Sequence, residues 1–143
     1  MRLVVDASVV IPCFVPERFS AAARSWLDAA DLLLAPEFLA LECANALWKK
    51  LTRDEIKLDD AGEALEQVLG GLIELRPAAP LARAAFRLAS DLAHPVNDCA
   101  YVALADAEDA ELLTADREMV RLTLASGRNV VAHWVGDTIP RRH

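Results

Sequence analysis

The stretch His94 to Asp116, HPVNDCAYVALADAEDAELLTAD, holds two different periodicities in 23 residues. It opens on a turn at Pro95 and Asn97-Asp98, then runs uncharged and mostly apolar from Cys99 to Ala105. An acidic patch follows (Asp106, Glu108, Asp109, Glu111), and the stretch closes on Leu112-Leu113-Thr114-Ala115-Asp116. Seven residues without a charge on any face describe a helix buried nearly all round. The short Leu-Leu-Thr run describes a strand that stops at an acid. Two carboxylates therefore stand at the mouths of buried elements, Asp98 where the helix begins and Asp116 where the strand ends. Carboxylates are poor core residues unless something compensates them.

The same alternation extends in both directions. Leu3-Val4-Val5 is a β-branched, buried first strand that ends at Asp6. The apolar segment Val9 to Val15 leads into a helix over Glu17 to Ala29. Leu32-Leu33-Leu34 is a second strand, and Pro36 suits the first turn of a helix that runs to about Leu51. Asp59-Asp60 starts a helix closed by Gly70-Gly71. Leu72 to Leu75 is a short strand, and Pro80 to Leu92 an alanine-rich helix. Beyond Asp116, Arg117 to Ala125 is a helix stopped by Gly127, and Asn129 to Trp134 a last strand. The tail from Ile139 to His143 is expected to be loose. Short apolar strands alternating with helices of ten or more residues indicate an α/β layer fold with a parallel sheet. In such sheets ligands bind at the carboxyl ends of strands, where Asp6 and Asp116 fall.

At 143 residues, 55% of them hydrophobic and only 12 of them Gly or Pro, the chain is one globular domain able to bury a core without staples. Its longest uncharged run is the ten residues Ala7 to Pro16, too short to span a bilayer. With no leader pattern, the expected location is cytoplasmic. Cys13, Cys43 and Cys99 lie far apart in apolar surroundings and are expected to be core thiols. A net charge of −7 argues against non-specific nucleic-acid binding. It leaves open an enzyme that meets phosphates through divalent metal, which inverts the local sign. Five scattered glycines give neither a GxGxxG nor a phosphate-binding loop.

Four acids stand out. Asp6 follows three aliphatic residues. Glu42 shares a helix face with Phe38, Leu39, Asn45 and Ala46, in a stretch where residues 38 to 48 are otherwise apolar except Asn45. Asp98 and Asp116 have been described. Individually, Asp6 serves equally well as a turn aspartate, and Asp98 and Asp116 as helix caps. Brought together, four like charges would repel unless some were protonated. A hard divalent cation removes that repulsion: Mg²⁺ and Mn²⁺ take carboxylate and water oxygens. His94, His133 and His143 have no ligand spacing with one another.

The segments VVDASVV, PEFLALECANALWK, NDCAYVALA and LLTADREMV, in this order, resemble the PIN-domain ribonucleases, and more narrowly the VapC-type toxins of toxin–antitoxin pairs. The resemblance covers nearly the whole chain. It implies a single PIN-like α/β domain over residues 1–143, with a five-stranded parallel sheet flanked by helices on both faces. By the same resemblance Asp6, Glu42, Asp98 and Asp116 are the catalytic quartet that holds one or two Mg²⁺ or Mn²⁺ ions, and Ser8, Asn45 and Thr114 line the pocket. The implied activity is metal-assisted hydrolysis of RNA phosphodiesters. Glu42 either ligates a second ion or orients the nucleophile, and Glu118 is a further acid well placed in the first turn after Asp116. Basic residues just outside the quartet, Lys49, Lys50, Arg53, Arg117 and Arg121, are the candidates for gripping RNA.

The resemblance also implies a homodimer and a small antitoxin whose tail lies in an apolar groove; Phe19, Trp26 and Trp48 are aromatic candidates for that surface. Two other readings compete. One is a PIN fold kept as a binding module without turnover. The other is a receiver-like phospho-acceptor domain, disfavoured because Asp6 is followed by Ala7-Ser8 and no lysine follows the last strand.

Overall fold

In the computed structural model, residues 1–141 are described, and Arg142 and His143 of the expected loose tail lie outside them. Ile139, the first residue of that expected tail, packs half-buried against the core. The strands are β1 (Arg2–Val5), β2 (Leu32–Pro36), β3 (Glu74–Arg76), β4 (Glu111–Thr114) and β5 (Ala132–Trp134). The helices are α1 (Ala7–Phe14), α2 (Ser20–Ala29), α3 (Leu39–Thr52), α4 (Leu58–Leu69), α5 (Ala82–Leu92), α6 (Val96–Ala107) and α7 (Arg117–Ala125), with a short 3-10 turn at Ala79–Leu81. Among the described residues no helix is long and apolar enough to cross a membrane.

The sheet is five-stranded and parallel throughout, in the order β3-β2-β1-β4-β5. The chain therefore builds outward from β1 to β3, then returns to place β4 on the other side of β1. That reversal makes β1/β4 the topological switch point, where a crevice opens at the carboxyl edge. Right-handed crossovers put α1 to α4 on one face and α5 to α7 on the other. The packing agrees: α1 touches α2, α3 and α4, whereas α6 lies against α5, β1, β2 and β4.

Burial explains why these residues form these elements. Leu3, Val4, Val5, Leu34, Leu112 and Leu113 are fully buried, as parallel strands covered on both faces require. Every residue from Cys99 to Ala105 is buried, so α6 is the central helix its uncharged run predicts. All three cysteines are free and buried.

Several boundaries differ from the sequence expectation: the helix expected from Glu17 begins at Ser20, and the strand expected over Leu72 to Leu75 is Glu74–Arg76. Val9 to Val15 is not a lead-in: Ala7–Phe14 is a helix in its own right, capped by Asp6 and containing Pro12. Proline in a helical pattern argues for a break, and the break does come, but at extended Val15, after one side of α1 is already buried. Pro36 ends β2 instead of starting α3; the pairing with β1 already stops at Leu34, and on its other side Pro36 pairs with Arg76 of β3. The last strand is shortened to Ala132–Trp134. Leu33, buried in the middle of β2 and paired in register with Leu3, tests the core directly. Leu33→Ala is expected to lower unfolding free energy by about 2–5 kcal/mol, measured by urea denaturation.

Candidate active site

All four acids occupy the beginning of a helix. Asp6 is the N-cap of α1 and Asp116 the N-cap of α7, while Glu42 and Asp98 lie in the first turns of α3 and α6. The topology puts these four helix starts on one edge. α1, α3 and α7 follow strands β1, β2 and β4 and so begin at their carboxyl ends. α6 runs back toward the start of β4, so it too begins there. Each helix N-terminus carries a partial positive charge that favours a carboxylate.

Asp6 is the innermost of the four, 7% exposed. Its Oδ1 accepts from the Ser8 backbone N–H at 3.1 Å and from the Ser8 hydroxyl, and its Oδ2 accepts from Thr114 Oγ1 at 2.6 Å. Thr114 Oγ1 in turn accepts from the Asp116 N–H at 3.0 Å, and Ser8 Oγ from the Ala115 N–H at 2.9 Å. The two hydroxyls thus stitch the end of β1 to the end of β4 and lock the Asp6 rotamer. Asp116 is exposed and accepts from the Glu118 N–H at 2.9 Å. Burial pushes the Asp6 carboxyl up to about 6; the hydroxyls of Ser8 and Thr114 oppose this, and the Asp116 carboxylate adds to it.

Glu42 and Asp98 form the other half of the cluster. Glu42 accepts a 2.6 Å hydrogen bond from the Tyr101 hydroxyl, and its pKa is raised by burial and by the nearby Asp98, against the Tyr101 bond. Asp98 meets His94 Nε2 at 2.9 Å. The halves share their surroundings: burial raises the pKa of both Tyr101 and Cys43, and the charges of Glu42 and Asp6 raise both further, Cys43 to about 12. Tyr101 therefore remains a hydroxyl donor. Among the described residues no Lys or Arg pairs with any of the four acids, and His94 is the one ion-pair partner.

The other residues singled out in the sequence make none of these contacts. Asn45 is exposed one turn along α3 from Glu42. Lys49 is exposed two turns along, and Arg53 caps the C-terminus of the same helix. Lys50 is drawn to Glu17 and Glu55, and Arg121 to Glu118. Arg117 lies beside Asp116, with its guanidinium over the Trp134 ring. Trp26 is 1% exposed and donates to the Val135 carbonyl at 3.0 Å, so it belongs to the core and not to a docking surface.

Two residues of the cluster escape a reading of the sequence. Tyr101 lies three positions after Asp98 on the same helix face, but an aromatic inside an apolar run reads as core. His94 precedes the helix, so helical spacing does not link it to Asp98.

Nitrogen and sulfur donors are scarce here, and carboxylate oxygens dominate, the donor set of a hard divalent cation. Among the described residues no three His, Cys, Asp or Glu side chains form a ready-made cage. Each acid is turned toward its own donor: Ser8 and Thr114, Tyr101, His94, or the Glu118 N–H. The oxygen chemistry and the uncompensated charge fit Mg²⁺ or Mn²⁺.

The raised Asp6 value has a measurable consequence. Between the ordinary 3.8 and about 6 the folded protein keeps a proton that the unfolded chain has released. This group's contribution is complete below about pH 4 and is lost as pH rises through about 6, a loss of about 3 kcal/mol at 1.36 kcal/mol per unit. Asp6→Asn is therefore expected to be more stable than the parent at pH 7 in EDTA and to lose that advantage toward pH 4, measured by urea denaturation at both values.

Known proteins share this fold and part of this sequence. The PIN-domain pattern matches residues 3–123. Ribonuclease VapC3 of Pyrobaculum aerophilum is 36% identical over 121 residues, 83% of this chain and 92% of that protein. Among solved structures, VapC20 of Mycobacterium tuberculosis, described as a sarcin-ricin loop cleaving toxin, superposes with a TM-score of 0.70 at 15% identity, over 90% of this chain and 98% of that one. VapBC2 from Rickettsia felis, bound to a DNA fragment from their promoter, gives 0.63 at 13% identity, over 93% and 98%. These last two likenesses concern the fold. With the matched pattern covering most of its length and a ribonuclease VapC at 36% identity, the chain belongs to the PIN-domain family, among its VapC-type members.

Proposed function

We propose that this protein is a metal-dependent endoribonuclease, the toxin of a toxin–antitoxin pair, that hydrolyses RNA phosphodiester bonds at the Asp6, Glu42, Asp98, Asp116 cluster. The observation that carries this reading is the gathering of four carboxylates at four helix starts on one sheet edge, with no lysine or arginine paired to them among the described residues.

Asp6, Asp98 and Asp116 would hold one or two Mg²⁺ or Mn²⁺ ions. The chemistry supplied at such a site is activation of water and neutralisation of charge on the phosphoryl oxygens. Ser8 and Thr114 fix the position of the Asp6 carboxylate. Tyr101 keeps Glu42 oriented, either toward a second ion or toward the attacking water. His94 steadies Asp98. Outer partners of this sort typically matter by about 10–100-fold in metal affinity or activity. Lys49, Arg53, Arg117 and Arg121, all exposed on or just beyond α3 and α7, supply positive charge for the RNA backbone.

The partner of the pair would be a small antitoxin. A groove of about 1090 Å³ between the end of α1, the end of α3 and α4 is lined by Phe14, Ile56 and Leu58 and by the acids Asp54, Asp60 and Glu63. Such a groove suits a cationic amphipathic segment. Leu41 and Trp48, two turns apart on α3 and 75% and 59% exposed, support the homodimer. A cytoplasmic location accords with an RNA substrate.

Asp6→Asn is expected to abolish cleavage of RNA while leaving the far-ultraviolet spectrum unchanged; full activity in a nuclease-free preparation would overturn the assignment. Titrated Mn²⁺ is expected to raise the melting temperature of the parent, and Asp98→Asn to suppress that rise. Tyr101→Phe keeps the ring and removes the donor, and is expected to weaken Mn²⁺ binding or lower kcat about 10–100-fold with KM for RNA unchanged.

A further inference from the structure

Beside the acidic edge, two arginines and two aromatic rings are joined in a row. Arg18 lies over the Phe19 ring at 5.0 Å, Phe19 meets Trp134 edge-on at 5.5 Å, and Arg117 lies over Trp134 at 3.8 Å. Trp134 is the fixed point of the row. Its indole N–H donates to the Ala115 carbonyl at 3.2 Å, its backbone N–H donates to Asp137 Oδ2 at 3.0 Å, and it pairs in register with Thr114. Gly136 is required for this packing: a Cβ there would stand 1.9 Å from the indole ring.

Arg117 is placed against electrostatic preference, as a cation on the first residue of α7. The indole face holds it there. Among the described residues neither Arg18 nor Arg117 is paired with a carboxylate, and both are exposed. In a chain of net charge −7, two such guanidiniums placed over rings, one of them on the residue next to Asp116, are a local exception that calls for an anion.

We propose that Arg18, Phe19, Trp134 and Arg117 form the surface that receives single-stranded RNA next to the scissile bond, the two guanidiniums contacting successive backbone phosphates. Guanidinium edges match phosphate oxygens in bidentate fashion, and a guanidinium already held over a ring loses less freedom when it binds. An exposed guanidinium plane also offers a stacking face to an unpaired base. The Trp134 ring engages Arg117, which among the described residues makes no ion pair with the neighbouring Asp116. This surface rests on the ribonuclease reading, because it is how that site would grip its substrate.

The test is fluorescence anisotropy of a labelled single-stranded RNA oligonucleotide on the full-length Asp6→Asn protein, which keeps the surface but does not cut, across 50 to 200 mM salt (roughly the range where phosphate binding is resolved). Arg18→Gln with Arg117→Gln is expected to weaken binding and to flatten the slope of log affinity against log salt by about 1.4, or about 0.7 for each phosphate that is no longer neutralised. Arg117→Lys, which keeps the charge and removes the guanidinium fork, is expected to retain the slope and bind more weakly. An unchanged slope and affinity in the double variant would overturn the proposal. The two readings fail separately: with Asp6 intact, a parent that cuts RNA and a double variant with the same KM would sink only this surface, whereas a parent that cuts nothing would sink the ribonuclease itself.

Discussion

The structure depends on holding like charges close together. Four carboxylates stand at helix starts on the carboxyl edge of the sheet, Asp116 near Asp6 and Asp98 near Glu42, and burial of the innermost, Asp6, raises its pKa to about 6. Three things moderate the resulting repulsion: the positive ends of four helices, the hydroxyls of Ser8 and Thr114, and the donors Tyr101 and His94. Helix ends contribute about 0.3–1 kcal/mol each at exposed positions, which is too little to offset the burial of Asp6. A protein that retains such an arrangement gives up stability at neutral pH for it. Divalent metal is the agent that would return that stability, and this links the fold's least comfortable feature to its chemistry.

The hydrogen bonds around Asp6 also explain how the edge is aligned. Thr114 and Ser8 each bond in two directions, to the Asp6 carboxylate and to backbone N–H groups after β4. The switch point between β1 and β4 is therefore closed by side chains as well as by the strand ladder. α6 has a parallel task on the other side. Its buried run anchors it against β1, β2 and β4, and its first two turns deliver Asp98 and Tyr101. One helix thus contributes an acid of the cluster and the hydroxyl that restrains a second acid from α3.

Much of this is legible in the sequence. Uncharged runs at Leu3–Val5, Leu32–Leu34, Cys99–Ala105 and Leu112–Thr114 are long enough to mark buried strands and a central helix, and their alternation marks a parallel sheet. Acids at the ends of such runs are anomalies that burial arguments detect. Local chemistry is harder to see. The helix α1 is hidden by Pro12, because the cost of a proline does not reveal that Asp6 and a buried apolar face already secure the turns before it. Trp26 reads as a surface candidate, although a tryptophan on an amphipathic helix is equally suited to the core, where the structure puts it. Tyr101, His94 and the Arg18–Phe19–Trp134–Arg117 row do not show in the sequence, because their partnerships form only when the chain has folded.

The central claim is that Asp6, Asp98 and Asp116, with Glu42 alongside, form one oxygen-lined site for a divalent cation. Crystals of the full-length protein grown with Mn²⁺, measured at the manganese absorption edge, test it most directly. The expected result is an anomalous peak bonded to Asp6 and to at least one of Asp98 and Asp116, at about 2.0–2.2 Å. A fully occupied manganese bound elsewhere, with Asp6 still engaged only by Ser8 and Thr114, would contradict it.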